Sequence, residues 1–306
     1  MNTNEDHTLE DHKLWKLTTE VWDALSAHFE PAVDHFTKTS DLDRGMLSLL
    51  LAVIACEPDA IMVADLMVRN PYTAAESFMA RLIEAAENGY LMEVEQGSFR
   101  LSDMGRRELQ ELIRSMRAAM VKADPLPRED SDRLAKLLDR LVHLCLQTPP
   151  PPEPWSIRAS YKLIPAIDPP MPYTEQAITC LSAYRDDAHL AAWQYTGITA
   201  TAFEMLSLLW RNEANTLDKV YVHLAPRGHP REVYQLALEE LSERKFVTGR
   251  EGALSVTVDG RIFRNQVEED TERFFFGPWK GLSYQEKTIL SGLLIRLKEG
   301  LLSQVS

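Results

Sequence analysis

The chain has 306 residues, 45% of them hydrophobic and 26% charged, with 33 Lys and Arg against 46 Asp and Glu for a formal net charge of −13. That balance fits two ordinary globular domains and excludes a disordered chain. The acidity also excludes broad attraction to a polyanion, because neutralised phosphates drive most sequence-independent nucleic-acid binding; any DNA contact must be local.

The N-terminus, MNTNEDHTLEDHKLW, is acidic and polar where a signal peptide is basic and then apolar. No apolar run approaches the ~18 residues of a spanning helix, so a cytoplasmic protein with no membrane segment is expected. A long amphipathic helix follows over Leu14–Phe36, with Trp15, Val21, Trp22, Leu25, Phe29, Val33 and Phe36 near helical period. Thr73-Ala-Ala-Glu76 reads as a capping box that opens a second helix. Two short β-rich runs come next, and then helices over Met104–Lys122 and Ser131–Gln147.

The run from Thr148 to Trp155 is rich in proline, with further prolines at 165, 169, 170 and 172. Proline fixes φ and removes a donor, so a stiff, extended linker is expected, its second part packed through Trp155, Ile157, Tyr161 and Ile164. A long helix over Thr174–Tyr195 then opens the second half.

Residues 216–261 give a short helix, a turn, a longer helix opening at His229-Pro230-Arg231-Glu232, and two strands, Phe246–Arg250 and Leu254–Val258. Proline suits the first helical position and Glu232 suits a helix N-terminus. On this register Tyr234, Leu238 and Leu241 face inward, and Arg231, Gln235 and Glu239 form the opposite stripe. Arginine and glutamine can make paired hydrogen bonds to guanine and adenine edges, although a polar stripe is also what any amphipathic helix shows. Helices over Gly260–Phe275 and Tyr284–Leu302 complete the chain.

The two halves match each other. The pentapeptide MLSLL at 46–50 recurs at 205–209, and residues 71–107 align with 227–263. Thr73 falls on His229, Glu76 on Glu232, Phe78 on Tyr234, Leu82 on Leu238, Tyr90 on Phe246 and Gly105-Arg106 on Gly260-Arg261. The copies differ in charge. Residues 61–107 carry 5 basic and 7 acidic groups, whereas residues 219–264 carry 8 and 6.

The string Leu82–Val94 with Leu101-Ser-Asp-Met-Gly-Arg106, and its counterpart Leu238–Arg250 with Val256-Thr-Val-Asp-Gly-Arg261, resembles the multiple-antibiotic-resistance regulator (MarR) family. That resemblance implies a mainly α fold with small β wings: tandem winged helix-turn-helix domains joined through long helices into a single-chain pseudo-dimer with an approximate two-fold axis. The expected domains are 1–147 and 173–306, with a linker over 148–172. Double-stranded DNA is the implied partner, read in successive major grooves by two recognition helices. The second copy is expected to contribute Arg227, His229, Arg231, Gln235, Arg250 and Arg261, and the more acidic first copy Thr73, Ser77, Arg81 and Arg100. The alternative reading is a winged-helix scaffold for protein association.

Relatives of this kind bind small aromatic effectors between the interlocked helices and the winged domain. Trp15, Trp22, Phe29, Trp193, Tyr195, Phe274, Phe275, Phe276 and Trp279 would line such a pocket, but they are equally what a helix–helix core requires. Cys56, Cys145 and Cys180 are odd in number and far apart, which offers neither a disulfide framework nor a paired-cysteine metal site. No phosphate-cradling glycine loop, HExxH or nucleophile turn is present, so an enzyme is not expected, nor a cofactor or metal.

Overall fold

The computed structural model describes residues 3–250 and 252–305, and side chains from residue 10 to residue 304. The first half runs α1 (Thr3–Ser40), α2 (Arg44–Cys56), β1 (Ile61–Met62), α3 (Val63–Arg69), α4 (Ala75–Glu87), β2 (Leu91–Glu95), β3 (Ser98–Leu101), α5 (Asp103–Ala123) and α6 (Arg128–Gln147). A short helix, α7 (Trp155–Tyr161), stands between the halves. The second half runs α8 (Pro170–Gln194), α9 (Ala200–Trp210), α10 (Leu217–Leu224), a 3-10 turn (Ala225–Arg227), α11 (Arg231–Glu243), β4 (Val247–Arg250), β5 (Ala253–Val256), α12 (Val258–Phe276), a second 3-10 turn (Pro278–Gly281) and α13 (Tyr284–Val305).

The order of elements therefore repeats, and so do the local devices that set it. Ser102 and Thr257 cap α5 and α12 by accepting from the amides of Gly105 and Gly260, at 2.9 and 3.1 Å. Each cap hydroxyl also donates back across the junction, to Gly89 O at 2.5 Å and to Lys245 O at 2.6 Å. A Cβ at Gly105 or Gly260 would lie 2.2 Å from the carbonyl oxygen of Tyr90 or Phe246, so only glycine lets these helix starts approach the preceding turn. The sheets differ by one strand. β1 pairs with β3 through Ile61 and Phe99 in a three-stranded sheet, whereas in the second half Leu254 N donates to Asn215 O, 2.9 Å, beside a two-stranded hairpin.

The long helices interlock reciprocally: α1 packs on α13, and α8 packs on α6. Leu290, Leu293, Leu294, Leu297 and Leu301 form one apolar face of α13, each 2% exposed or less. Burying a leucine contributes about 1.5–3 kcal/mol, so this seam is a principal source of stability. Lys287 to Asp11 (2.6 Å) and Lys298 to Glu20 (3.0 Å) flank it. Most of the aromatic residues considered for an effector pocket lie in such seams; Trp15, for example, meets Phe275 at 4.9 Å and Trp279 at 6.3 Å between ring centroids.

Two cores result. One unites the first winged unit with the interlocked helices, including α8 as far as Ala188 and the end of α12 from Phe275. The other belongs to α9–α11, β4 and β5, with Leu190, Ala192 and Trp193 of α8 and Val267 of α12.

Three sequence expectations are corrected. The linker is not extended throughout, because residues 155–161 form α7, which packs on α8 and whose first amides at Ser156 and Ile157 donate to the Asp187 carboxylate at 2.7 and 3.0 Å. The capping group sits 30 residues downstream, where local reading of a proline run finds no sign of it. Ile157 is fully buried there, but Trp155 is 52% exposed. The second long helix begins at Pro170, inside the residues assigned to the linker. Finally, the Thr73–Glu76 capping box is not formed: Ala74 is the N-cap of α4, and Thr73 Oγ1 instead contacts Asn70 Oδ1 at 3.4 Å.

Candidate nucleic-acid interface

In the second half, α10 and α11 meet across the 3-10 turn and Gly228, whose φ of +75° is open to glycine at little cost. Tyr234, fully buried, fixes α11 against α10 with its hydroxyl 3.3 Å from Leu224 O. Ala237 and Leu241 continue the inward face. Pro230 is the N-cap, so the helix opens one residue later than the proline rule suggests, at Arg231. Arg231 and Gln235 are half-buried at the outer side, with Arg231 Nη2 donating to Asp218 at 2.8 Å. Arg250 is exposed on β4, beside Glu251, which lies outside the described residues. Arg261 is exposed on α12 and lines a polar cleft of about 350 Å³ with Lys219, Asn215 and Ser255.

The outer surface of α11 itself is acidic and apolar, with Glu232, Leu236, Glu239 and Glu243 exposed. Exposed cations stand on the elements before and after it in the chain: Lys219 on α10, Lys245 ahead of β4, Arg250 on the wing and Arg261 on α12. Sequence reading missed Lys219 and Lys245. Their signal was position, at the first turn of α10 and at the junction with the wing.

In the first half, α3 and α4 are followed by the β2–β3 hairpin. Arg100 is exposed on β3, whereas Arg81 is half-buried and points back toward Gly45 and Asp43, 4.0 Å from the carboxylate. Around them the exposed groups are Glu76, Ile83, Glu84 and Glu87 on α4 and Met92, Glu93, Val94, Glu95 and Gln96 on the wing. Glu93 closes the wing tip by accepting from Gly97 N at 2.7 Å. Carboxylates on this edge repel phosphate.

The remaining expected contacts, Thr73, Ser77, Arg227 and His229, converge on a joint between the two units. Arg227 donates from Nε and Nη2 to Glu204 Oε1, at 2.9 and 2.6 Å, and its guanidinium lies 5.6 Å from the centroid of the Tyr72 ring. The His229 ring reaches Tyr72 O at 3.0 Å. Ala74 N donates to Arg227 O at 2.8 Å. Ser77 fills the space beside Gly228, where a Cβ would fall 1.7 Å from the serine hydroxyl. Trp193 Nε1 donates to the Tyr72 hydroxyl at 2.9 Å while its ring stacks on Phe203, 5.0 Å between centroids. Burial raises both the Tyr72 hydroxyl and the Glu204 carboxyl above their usual values, against the lowering effects of Trp193 and Arg227 respectively.

Beside this joint, a cleft of about 560 Å³ lies between α2, α3, α4 and α8, lined by Arg69, Tyr72, Phe78, Arg81, His189 and Arg227 among others. Burial lowers the His189 imidazole to about 4, so the ring is neutral at the cleft floor near pH 7. Among the described residues, no group of three or more His, Cys, Asp or Glu could hold a metal ion, and no helix is long and apolar enough to cross a membrane.

A helix, a turn, a second helix and a hairpin wing define a helix-turn-helix protein. The chain belongs to a helix-turn-helix family whose sequence profile matches residues 101–304. That family points generally to DNA-binding regulators. Neither the curated proteins nor the solved structures give a match.

Proposed function

We propose that this protein is a DNA-binding transcriptional regulator built as a single-chain pseudo-dimer of two MarR-like modules, in which the second module supplies most of the DNA contacts. The observation that carries this reading is that exposed cations stand on the elements about α11, with Lys219 and Arg261 lining one cleft and Lys219 next in sequence to Asp218, a partner of Arg231, while Arg250 is exposed on the wing. The corresponding edge of the first module is dominated by glutamates. Arg231 and Gln235 are the candidates for base edges, and Arg250 and Lys219 for phosphates. An aromatic effector carrying an anionic group would suit the cleft that Tyr72, Phe78, Arg69 and Arg81 line.

The test is fluorescence anisotropy with the DNA upstream of the protein's own gene. Arg231→Ala should cost about 1–3 kcal/mol and relax sequence preference, whereas Arg250→Ala should weaken binding to all sequences and reduce the salt slope by about one. Absence of any specific complex at low salt would remove the reading. It would leave a protein-association scaffold, which the exposed Glu76, Ile83, Glu84, Glu87, Met92 and Val94 of the first module favour. Isolation of a stoichiometric protein partner held by that face would then establish the scaffold.

A further inference from the structure

The joint between the modules has a geometric consequence for DNA reading. A helix-turn-helix dimer contacts base edges with the N-terminal residues of its two recognition helices, set about 34 Å apart, one turn of B-DNA. Here those two ends touch. Ala74, the N-cap of α4, bonds to Arg227, four residues before α11 begins, and Ser77 in the first turn of α4 is seated against Gly228. The two helices cannot enter successive major grooves in this arrangement.

We propose that the joint is an autoinhibitory clasp, with Tyr72 as its tongue, which holds the second module against the first and must open for DNA to be read. This inference rests on the DNA-binding reading above and adds its regulation. Three observations support it together. The tongue comes from the first module and every group that grips it comes from the second half: the Trp193 indole at its hydroxyl, the Arg227 guanidinium at its ring and the His229 imidazole at its carbonyl.

The grip also covers Arg227, four residues before α11, an element whose N-terminal amides and dipole already favour phosphate. Arg227 is turned to Glu204, whose second oxygen, Oε2, is buried without a hydrogen-bond partner among the described residues. That pair is under-satisfied where it stands, because a buried acceptor left unbonded is costly. Glu204 lies on α9 of the same module, so this pair stays together when the joint opens; what the joint covers is the face of the Arg227 guanidinium against the Tyr72 ring, at 5.6 Å from its centroid, and removing Tyr72 uncovers that face to a DNA phosphate.

The second module also has a core of its own. That core is separate from the core of the interlocked helices, and among the described residues only α8 and α12 contribute buried apolar side chains to both. Displacing it costs the Tyr72 contacts without opening the larger core.

A reversible lock tests the inference. In a chain with Cys56→Ser, Cys145→Ala and Cys180→Ala, the set Ser77→Gly, Ala74→Cys and Gly228→Cys clears the space beside residue 228 and places two thiols across the joint, where an ideal Cβ on Gly228 lies 3.9 Å from Ala74 Cβ, within the range of a disulfide. The oxidised protein should bind specific DNA at least tenfold more weakly than the same protein after reduction. In the unlocked chain, Tyr72→Ala should strengthen binding several-fold. Labels at Gln96→Cys and Gly252→Cys, one on each wing, should report a longer separation in Tyr72→Ala and on DNA binding. Equal DNA affinity in the oxidised and reduced forms overturns the clasp and leaves the DNA reading intact, as does an unchanged wing separation in Tyr72→Ala. If the reduced, unlocked protein binds no DNA at all, the DNA reading itself fails and the regulatory role falls with it.

Discussion

The two winged units share a plan but not a foundation. The first is continuous with the interlocked helices: Leu82, Ala85, Tyr90, Leu91, Phe99 and Leu101 belong to the same core as Leu25 of α1 and Leu297 of α13. The second encloses its own core around Tyr234, Leu241, Leu206 and Val247. The unit with the separate core is also the one with exposed Lys219, Lys245, Arg250 and Arg261 beside the glutamates of α11, whereas the exposed charges on the recognition helix and wing of the unit rooted in the helices are, apart from Arg100, glutamates. The separate core and the more basic surface thus fall on one unit, and the shared core and the more acidic edge on the other.

The largest test of that contrast is stability. Tyr234→Ala removes a fully buried ring and should cost about 3–5 kcal/mol. Because its core is separate, the loss should appear in denaturant titration as an early transition of the second unit ahead of the rest. Phe78→Ala, at the aligned but half-buried position in the first unit, should cost less and leave a single transition.

DNA affinity sharpens the contrast next. Glu95→Lys should raise the affinity of the wild-type chain for DNA at low salt and steepen its salt dependence by about one unit, one charge having changed from repelling to attracting phosphate. An unchanged salt slope would mean that the first wing stays away from the duplex.

The caps should respond alike, which marks where the units agree. Ser102→Ala and Thr257→Ala each remove one cap acceptor and one cross-junction donor, and each should cost about 1 kcal/mol in thermal or denaturant unfolding.

The smallest effect is in pH dependence, because two groups on α8 oppose one another. Burial raises the Asp187 carboxyl to about 6 from 3.8, against the lowering effect of the Ile157 and Ser156 amides, and burial, aided by Arg264, lowers His189 to about 4 from 6.5. As pH falls from 6 toward 4, the folded state protonates Asp187 before the unfolded chain does, and this contribution to stability grows. As pH falls from 6.5 toward 4, the unfolded chain protonates the histidine first, and that contribution shrinks. The melting-temperature difference between wild type and Asp187→Asn should therefore widen on acidification, and that between wild type and His189→Gln should narrow.

Elements governed by local chemistry were legible in the sequence. The Leu-Ser-x-x-Gly and Val-Thr-x-x-Gly strings disclosed both strand-to-helix junctions, since cap hydroxyl and glycine lie three residues apart. Of the inward positions read from helical spacing, Tyr234 and Leu241 are buried and Leu238 is half-buried, and the long helices whose apolar faces meet in the interlocked seam followed from the same spacing.

What escaped depended on groups distant in the chain. Asp187 caps α7 from another helix, so the proline run looked uniformly extended. Thr73 reads as a cap because nothing nearby reveals that the amide of Ala74 is taken by Arg227, more than 150 residues away. Arg227 and His229 announced themselves as cations at a helix start, but their partners Glu204 and Tyr72 are set by packing. The site was legible as a list of side chains, and the joint that divides it only as a three-dimensional contact.

The reciprocal seating of α1 on α13 and of α8 on α6 bears on how such a molecule meets dilution. Subunits held by their terminal helices part when their concentration drops, but here the partner surfaces stay tethered at a fixed local concentration. The melting temperature should accordingly not vary with protein concentration. Under the pseudo-dimer reading proposed above, the two wings are also free to differ, as Glu93 and Glu95 on one and Arg250 on the other do.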